Sequence, residues 1–364
     1  MDTPDTPDVP NGEKMTLHIG FKVPTRAVAE EYEAGETNEN YIDIAGGNYR
    51  IYFFDEQDKF IARFEPSGFI STEGSDYCHY SVLGKAPDAL VEHSDFFKMV
   101  VLANWPSYPE SLNKDGGENL PLVEKETTIE EICTADWAQY DCLLDNETTP
   151  PTAIALNPDE RKLMPFYGVH EYEDITFTPG QATLLEEPVT LLRAMAKVEV
   201  ILETDDDLDL SFSSVAINRY NARGYCAPKD VFTQDDYDHG ENPDEDYVKD
   251  LHLTNEGKND EDEKELVCRS VRMRHEKWEA YIPEYKNIDV GSTCSCIKVK
   301  LDDVQTEPYT IFFANYDGGQ TDNSDRLNIE RNNIYRFIVT VHDSRFKVNV
   351  QEWKYAYDNE YTFD

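Results

Sequence analysis

Leu192-Arg-Ala194-Met-Ala196-Lys-Val198-Glu-Val200-Ile-Leu202 decides the fold class. Every even position is small or aliphatic, and three odd positions carry charge, as Arg193, Lys197 and Glu199. A period of two places one row of side chains on each face of a strand. The charged row reads as a structural face that pairs with carboxylates on neighbouring strands. Outward from this segment the same pattern recurs. Residues 49–55 read as a strand, followed by a turn and a second strand over 60–64. Residues 97–104 form a nearly continuous apolar run, expected to be a strand buried on both faces. Residues 334–341 make another strand. Helical periodicity is scarce. The exception is 127–143, where Thr127 and Glu130 have the spacing of a capping box. Short alternating runs bounded by Gly, Pro, Asn and Asp predict an all-β chain of sandwich type with a minor helix. Asn104 and Gly168 read as strand-end and turn residues.

The two ends of the chain carry matching patterns. Near the start, Met15, Leu17, Ile19, Phe21 and Val23 alternate with other residues, Pro24 stops the strand, and Thr25-Arg26-Ala27 follow. Near the end, Trp353, Tyr355, Tyr357, Tyr361 and Phe363 share one parity. The preceding run has its apolar residues at Phe346, Val348 and Val350, on the other parity. Such a flip predicts a bulge or a switch of sheet, with 353–364 engaging a different surface. Each terminus thus offers one apolar face to a groove.

Asp and Glu outnumber Lys and Arg by 74 to 33 over 364 residues, a formal charge of −41. A field of that sign repels phosphate backbones and anionic lipid heads, which argues against nucleic-acid binding. There is no apolar run of about 18 residues, the length that spans a bilayer. Residues 1–13 read as an acidic, proline-punctuated tether that stays extended. The Pro- and Gly-containing stretch around 179–188 marks a domain boundary, giving units 14–186 and 187–364.

Residues 204–209 and 234–263 are acidic loops. Counted from Asp235, Gly240 falls at the sixth position of an EF-hand loop, and Asp236, Asp238, Asp244 and Asp246 add carboxylates. Yet Tyr237 and His239 occupy the third and fifth positions, and Asp246 replaces the terminal glutamate, so a solvated loop is the expectation. Residues 317–325 read as a turn. The seven cysteines are odd in number and irregularly spaced, which is no disulfide framework. Cys294 and Cys296 read as small residues on a strand rather than half a metal site. No cofactor or metal is called for. There is no Gly-rich phosphate loop, Gly-x-Ser-x-Gly or His-Glu-x-x-His, and the expectation is a protein that is not an enzyme.

Several segments, in order, resemble the fimbrillins of the FimA/Mfa-like superfamily, the lipoprotein precursors of type V pili in Bacteroidales. They are the strand before Arg26, residues 51–55, 101–104, 163–168, Leu192-Arg193, Ala196-Lys197-Val198, Tyr281-Ile-Pro-Glu284, Ile329-Glu-Arg331-Asn332, Tyr335-Arg336 and 348–353. The resemblance implies two tandem transthyretin-like β-sandwich domains with Greek-key-type connections. It implies a lipid-anchored precursor at the outer membrane, with 1–13 the tether left by a removed lipoprotein signal. It implies an arginine-specific surface protease that cuts between Arg26 and Ala27 within an exposed loop, 27–40. Met15, Leu17, Ile19, Phe21 and Val23 then leave as the displaced strand. The donor strand of another pilin subunit, carrying Trp353, Tyr355, Tyr357, Tyr361 and Phe363, fills the groove. Stalk, tip and anchor roles stay open, as does a host or bacterial surface receptor. The alternative is a surface glycan-binding lipoprotein, for which Trp105, Trp137 or Trp278 would stand exposed as a platform.

Overall fold

The computed structural model describes residues 16–24, 37–73, 77–108, 122–135, 138–204, 210–228, 265–272, 276–288, 290–302, 307–314, 326–342 and 345–354. The architecture is all-β, as the alternation predicts. Four of its sheets supply the cores. One runs in the order Ala182–Leu184, Thr16–Pro24, Tyr77–Lys85, Pro66–Glu73, with Val189–Thr190 also paired to Thr16–Pro24. A second runs Leu192–Arg193, Phe166–Glu173, Phe96–Ala103, Tyr49–Phe54, Phe60–Arg63. A third runs Arg269–Arg272, Glu276–Ile282, Ala196–Thr204, Asn333–His342, Arg345–Lys354. The fourth runs Tyr309–Phe312, Cys296–Leu301, Phe212–Asn218, Glu265–Val267, Thr152–Ala153, Leu144–Asp145.

The first two sheets share one apolar cluster, built around Leu17, Ile19, Ile51, Phe53, Phe97 and Val169. Phe53 packs edge-on against both Phe64 and Phe97, the arrangement that ring quadrupoles favour. The strand Phe96–Ala103 is buried on both faces, and its one charge, Lys98, reaches Asp58 at 2.8 Å and Glu171 at 3.4 Å. The other two sheets share a second cluster, in which Val198 lies directly between Ala280 and Tyr335. The cores exchange short pieces: Cys142 and Ala153 join the second cluster, while Cys226, Ala227 and Tyr281 join the first.

The segment read as one strand from Leu192 is two. Leu192–Arg193 pairs with Phe166–Glu173 in the first core's sheet, and Ala196–Thr204 is the middle strand of the third sheet. Its charged row pairs with carboxylates, but it is interior: Arg193 and Lys197 are 2% and 3% exposed and Glu199 0%. Glu199 stands directly opposite Glu279 on one side and Arg336 on the other. Two like charges in register repel. Here Lys197 lies 3.0 Å from Glu199 and 3.6 Å from Glu279, Lys277 lies 3.5 Å from each, and Arg336 lies 2.8 Å from Glu199. Arg269 closes on Glu279 from the edge strand.

This network reaches across to the first core. Lys197 and the Tyr281 hydroxyl both donate to Glu39, in the single turn Thr37–Asn40. Arg193 donates to the side-chain oxygens of Asn40 and Asn332. Arg331 forks onto Glu284 at 2.9 and 3.0 Å and donates to the carbonyls of Tyr225 and Cys226.

Three expectations need correction, and one beside them holds. The helix spans Ile129–Thr134, and its capping box uses Thr128 and Glu131, one residue later than read, because Thr127 instead accepts from the Val123 amide. Gly168 is in mid-strand rather than a turn; a β-carbon there would lie 2.4 Å from the Thr190 carbonyl oxygen, so the close backbone crossing requires glycine. Asn104 does end its strand, in the left-handed region at φ 57°, where its side chain bonds Tyr41, Asp43 and Met164. Finally, Arg345–Lys354 pairs with Asn333–His342 at ten consecutive positions, with neither bulge nor change of sheet up to Lys354.

Replacing Arg331 with Met leaves Glu284 buried without its cation, and unfolding in urea is expected at a stability lower by about 3–5 kcal/mol. Burial raises the Glu39 carboxyl, but Lys197, the hydrogen bond from Tyr281 and the charge of Arg193 outweigh it, holding the group below the usual carboxylate range. Its contribution is therefore present above the free-carboxyl value of 4.5 and is lost as pH falls below that value through the folded-state one. Glu39→Gln is expected to flatten the stability profile in that acid window, read as urea midpoints against pH.

Candidate functional site

The first strand among the described residues lies inside a sheet, paired on both sides. Thr16–Pro24 pairs antiparallel with Tyr77–Lys85 at nine positions, from Thr16 opposite Lys85 to Pro24 opposite Tyr77. On its other side Thr16, Leu17 and His18 pair in parallel with Ala182–Leu184, and Phe21 and Lys22 with Val189–Thr190. Leu17 and Ile19 point into the first core and are 0% exposed. Ile19 lies opposite Val82, and Leu17 opposite Gly84, where the missing β-carbon leaves room for the Phe64 ring. Removing this strand would open a groove lined by two rows of main-chain hydrogen-bonding groups with apolar pockets at alternate positions.

The groove is tied to the seam between the cores. Tyr80, directly opposite Phe21, donates its hydroxyl to the Asn40 carbonyl at 3.1 Å and accepts from the Ile42 amide at 3.3 Å. The outer face of the sheet is different in character. Gly20 meets the His79 imidazole and Pro188 there, and Leu83 and Leu184 are 41% and 55% exposed.

The predicted site residues distribute as follows. Leu17 and Ile19 are in the groove; Phe21 and Val23 hold ladder positions opposite Tyr80 and Cys78. Trp353 sits near the end of the edge strand, opposite Ile334. Met15, Arg26, Ala27, Tyr355, Tyr357, Tyr361 and Phe363 lie outside the described residues, as do residues 1–13, Trp137, the 234–263 loop and 317–325. The pairing of the strand on both sides, Tyr80's role and the Lys197 network were not read from the sequence. The Tyr80 bonds join residues 38 and 40 positions apart and the bond from Tyr281 to Glu39 spans 242, separations for which local pattern carries no signal.

Chemistry beyond binding finds little support among the described residues. Cys133, Cys142, Cys226, Cys268 and Cys294 are buried and in no disulfide, and burial pushes Cys133 and Cys142 up to about 12, far from nucleophilic. No group of three or more His, Cys, Asp or Glu among them is placed to hold a metal. Trp105 is 2% exposed, its indole donating to the Phe166 carbonyl, and Trp278 is partly buried, its indole donating to the Glu276 carboxylate. No helix of the described residues is long and apolar enough to cross a membrane.

No protein-family model matches the chain. No curated protein matches it either. Among solved structures, the tip fimbrial protein Mfa3 from Porphyromonas gingivalis, with a C-terminal truncation, aligns at a TM-score of 0.51 and 13% identity, covering 94% of this chain and 99% of that one. A fimbrial assembly protein from Parabacteroides distasonis aligns at 0.46 and 12% identity, covering 93% and 96%. The chain shares the all-β fold of the tip fimbrial protein, which bears out at the level of fold the resemblance read from the segments above.

Because Ile19 fills a closed pocket, Ile19→Ala is expected to lower unfolding free energy by about 2–5 kcal/mol. Leu83→Ala, on the exposed face of the paired strand, should stay within about 0.5 kcal/mol. Denaturant melts of the two variants make the comparison.

Proposed function

We propose that this protein is a pilus subunit that acts through its first strand, with an N-terminal sandwich over 14–186 and a C-terminal one over 187–364. It reaches the cell surface as a lipid-anchored precursor at the outer membrane. An arginine-specific surface protease cuts between Arg26 and Ala27. The segment bearing Met15, Leu17, Ile19, Phe21 and Val23 departs, and the segment bearing Trp353, Tyr355, Tyr357, Tyr361 and Phe363 of another subunit takes its place. Other pilin subunits, the protease and a host or bacterial surface receptor are the partners.

One observation carries this proposal. The strand Thr16–Pro24 is bonded on both sides and buries Leu17 and Ile19 completely, so its loss would expose a ready-made acceptor. Strand addition supplies main-chain hydrogen bonds for affinity and alternate pockets for specificity. Each aromatic of the incoming segment contributes roughly 1.5–3 kcal/mol when fully buried, before ordering costs. Before cleavage the protein's own strand occupies the groove and prevents early assembly. The tip role of the structural neighbour favours a second reading, in which the subunit ends a pilus.

Treatment of the intact chain with an arginine-specific protease, read by N-terminal sequencing and by gel without boiling, distinguishes these. One cut giving a chain that starts at Ala27, with an SDS-resistant ladder, is the outcome expected of a stalk subunit. The same cut without a ladder is expected of a tip. An uncut Arg26 in the folded protein removes the activation step.

A further inference from the structure

The groove has a feature on its outer side that the apolar pockets do not explain. At Gly20 a β-carbon would lie 3.0 Å from the His79 imidazole Nε2, 3.3 Å from the Pro188 β-carbon and 3.7 Å from its α-carbon. His79 comes from the strand on one side, Tyr77–Lys85, and Pro188 from the residue before the parallel partner Val189–Thr190 on the other. The two close over the strand's backbone from opposite neighbours. An alanine fits if the imidazole gives by a few tenths of an ångström; a longer side chain does not fit unless His79 leaves. No such constriction is needed to bury Leu17 and Ile19, which point the other way.

We propose that His79 and Pro188 form a register gate: any strand in this groove must present glycine or alanine at the gate, and the occupant drawn from a second copy of this chain enters with Ala356 there. This rests on the strand-exchange reading above. On the even parity, residues 354–362 read Lys354, Ala356, Asp358, Glu360 and Thr362, and only Ala356 is small enough. Seating Ala356 at the gate fixes everything else. In the direction of the departing strand, Trp353 takes the place of Leu17, Tyr355 that of Ile19 and Tyr357 that of Phe21. In the reverse direction Asn359 would fall in the closed Leu17 pocket, where an amide loses its water. The forward direction is therefore assigned, and the larger rings require the two sheets to spread. Trp353 and Lys354 must first leave their own sheet, where they hold the last two pairs of the edge strand, opposite Ile334 and Asn333.

The gate is tested in the intact chain with Gly20→Ala, Gly20→Leu, and Gly20→Leu combined with His79→Ala. Gly20→Ala should melt close to the parent and Gly20→Leu clearly lower, with His79→Ala recovering at least half of the loss. A Gly20→Leu chain as stable as the parent, or no recovery, overturns the gate. The register is tested after arginine-specific cleavage, with the SDS-resistant ladder as readout and matched melting of each uncut variant as the folding control. Ala356→Gly should ladder like the parent. Ala356→Leu should lose at least ten-fold, and His79→Ala in the same chain should restore much of it. Thr362→Leu, beyond the aligned stretch, should have no effect. Equal ladders for Ala356→Leu and the parent, or equal losses for Thr362→Leu and Ala356→Leu, overturn the register. A parent chain that is cut but forms no ladder refutes self-exchange and Ala356's role with it, while the gate still stands or falls on the Gly20 variants.

Discussion

Two carboxylates face each other in register in the third sheet, Glu199 and Glu279, both out of contact with water. Buried like charges in register repel, and the charged side chains around them are arranged to offset this. Four cations, from Lys197, Lys277, Arg269 and Arg336, enclose the pair. Lys197 then has charge to share with Glu39, which draws the turn Thr37–Asn40 onto the second core. Arg193 and Arg331 add hydrogen bonds to Asn40, Asn332 and the carbonyls of Tyr225 and Cys226. A buried ionic network contributes little net stability compared with an apolar core of the same shape, but any broken member leaves an uncompensated charge. Its consequence here is a tie: Lys197, shared between Glu199 and Glu39, links the turn Thr37–Asn40 to the second core.

That arrangement also governs the groove. Tyr80 is both a wall residue opposite Phe21 and the hydrogen-bonding partner of Asn40. The turn that carries Glu39 therefore braces the strand on which the departing segment rests. Held on the network, this turn need not move when the first strand does. On the strand-exchange proposal, that brace would keep the emptied groove from collapsing, leaving only the sheet spacing to widen for the larger rings.

Alternation made the strands legible, because a period of two is a property of the backbone and needs no tertiary context. Residues 97–104 were read as buried on both faces, and they are, since an unbroken apolar run has no other comfortable place. Lys197 and Glu199 share one face, as the period predicts, and Lys197 meets carboxylates, whereas Arg193 lies on a strand of another sheet. The burial of all three was hidden, because period reports which residues share a face and not what covers it. The break at Ala194-Met195 was hidden for the same reason: alternation continues in sequence while the chain passes from one sheet to another. Gly168 misled because glycine marks turns and close crossings alike. The segments that carried the family resemblance fared better than their individual weakness promised. Arg193, Lys197, Tyr281, Glu284, Arg331 and Asn332 converge at the junction of the cores, so those short motifs are parts of one contact. Of the candidate site, Leu17 and Ile19 were legible as an inward row; the gate at Gly20 was not, since His79 and Pro188 are far away in sequence.

The position of the first strand between two neighbours has a mechanical side. Hydrogen bonds in a sheet run across the strands. A strand pulled along its own length from such a slot loads its bonds in shear, on both flanks together, and they must fail as a group. A strand peeled from an edge yields one bond at a time, as a zip does. An occupant of this groove would bear tension in the first manner, with the His79 and Pro188 contacts acting as a stop against sliding by two residues. Resistance to traction would thus come from geometry, at no demand for tight equilibrium binding.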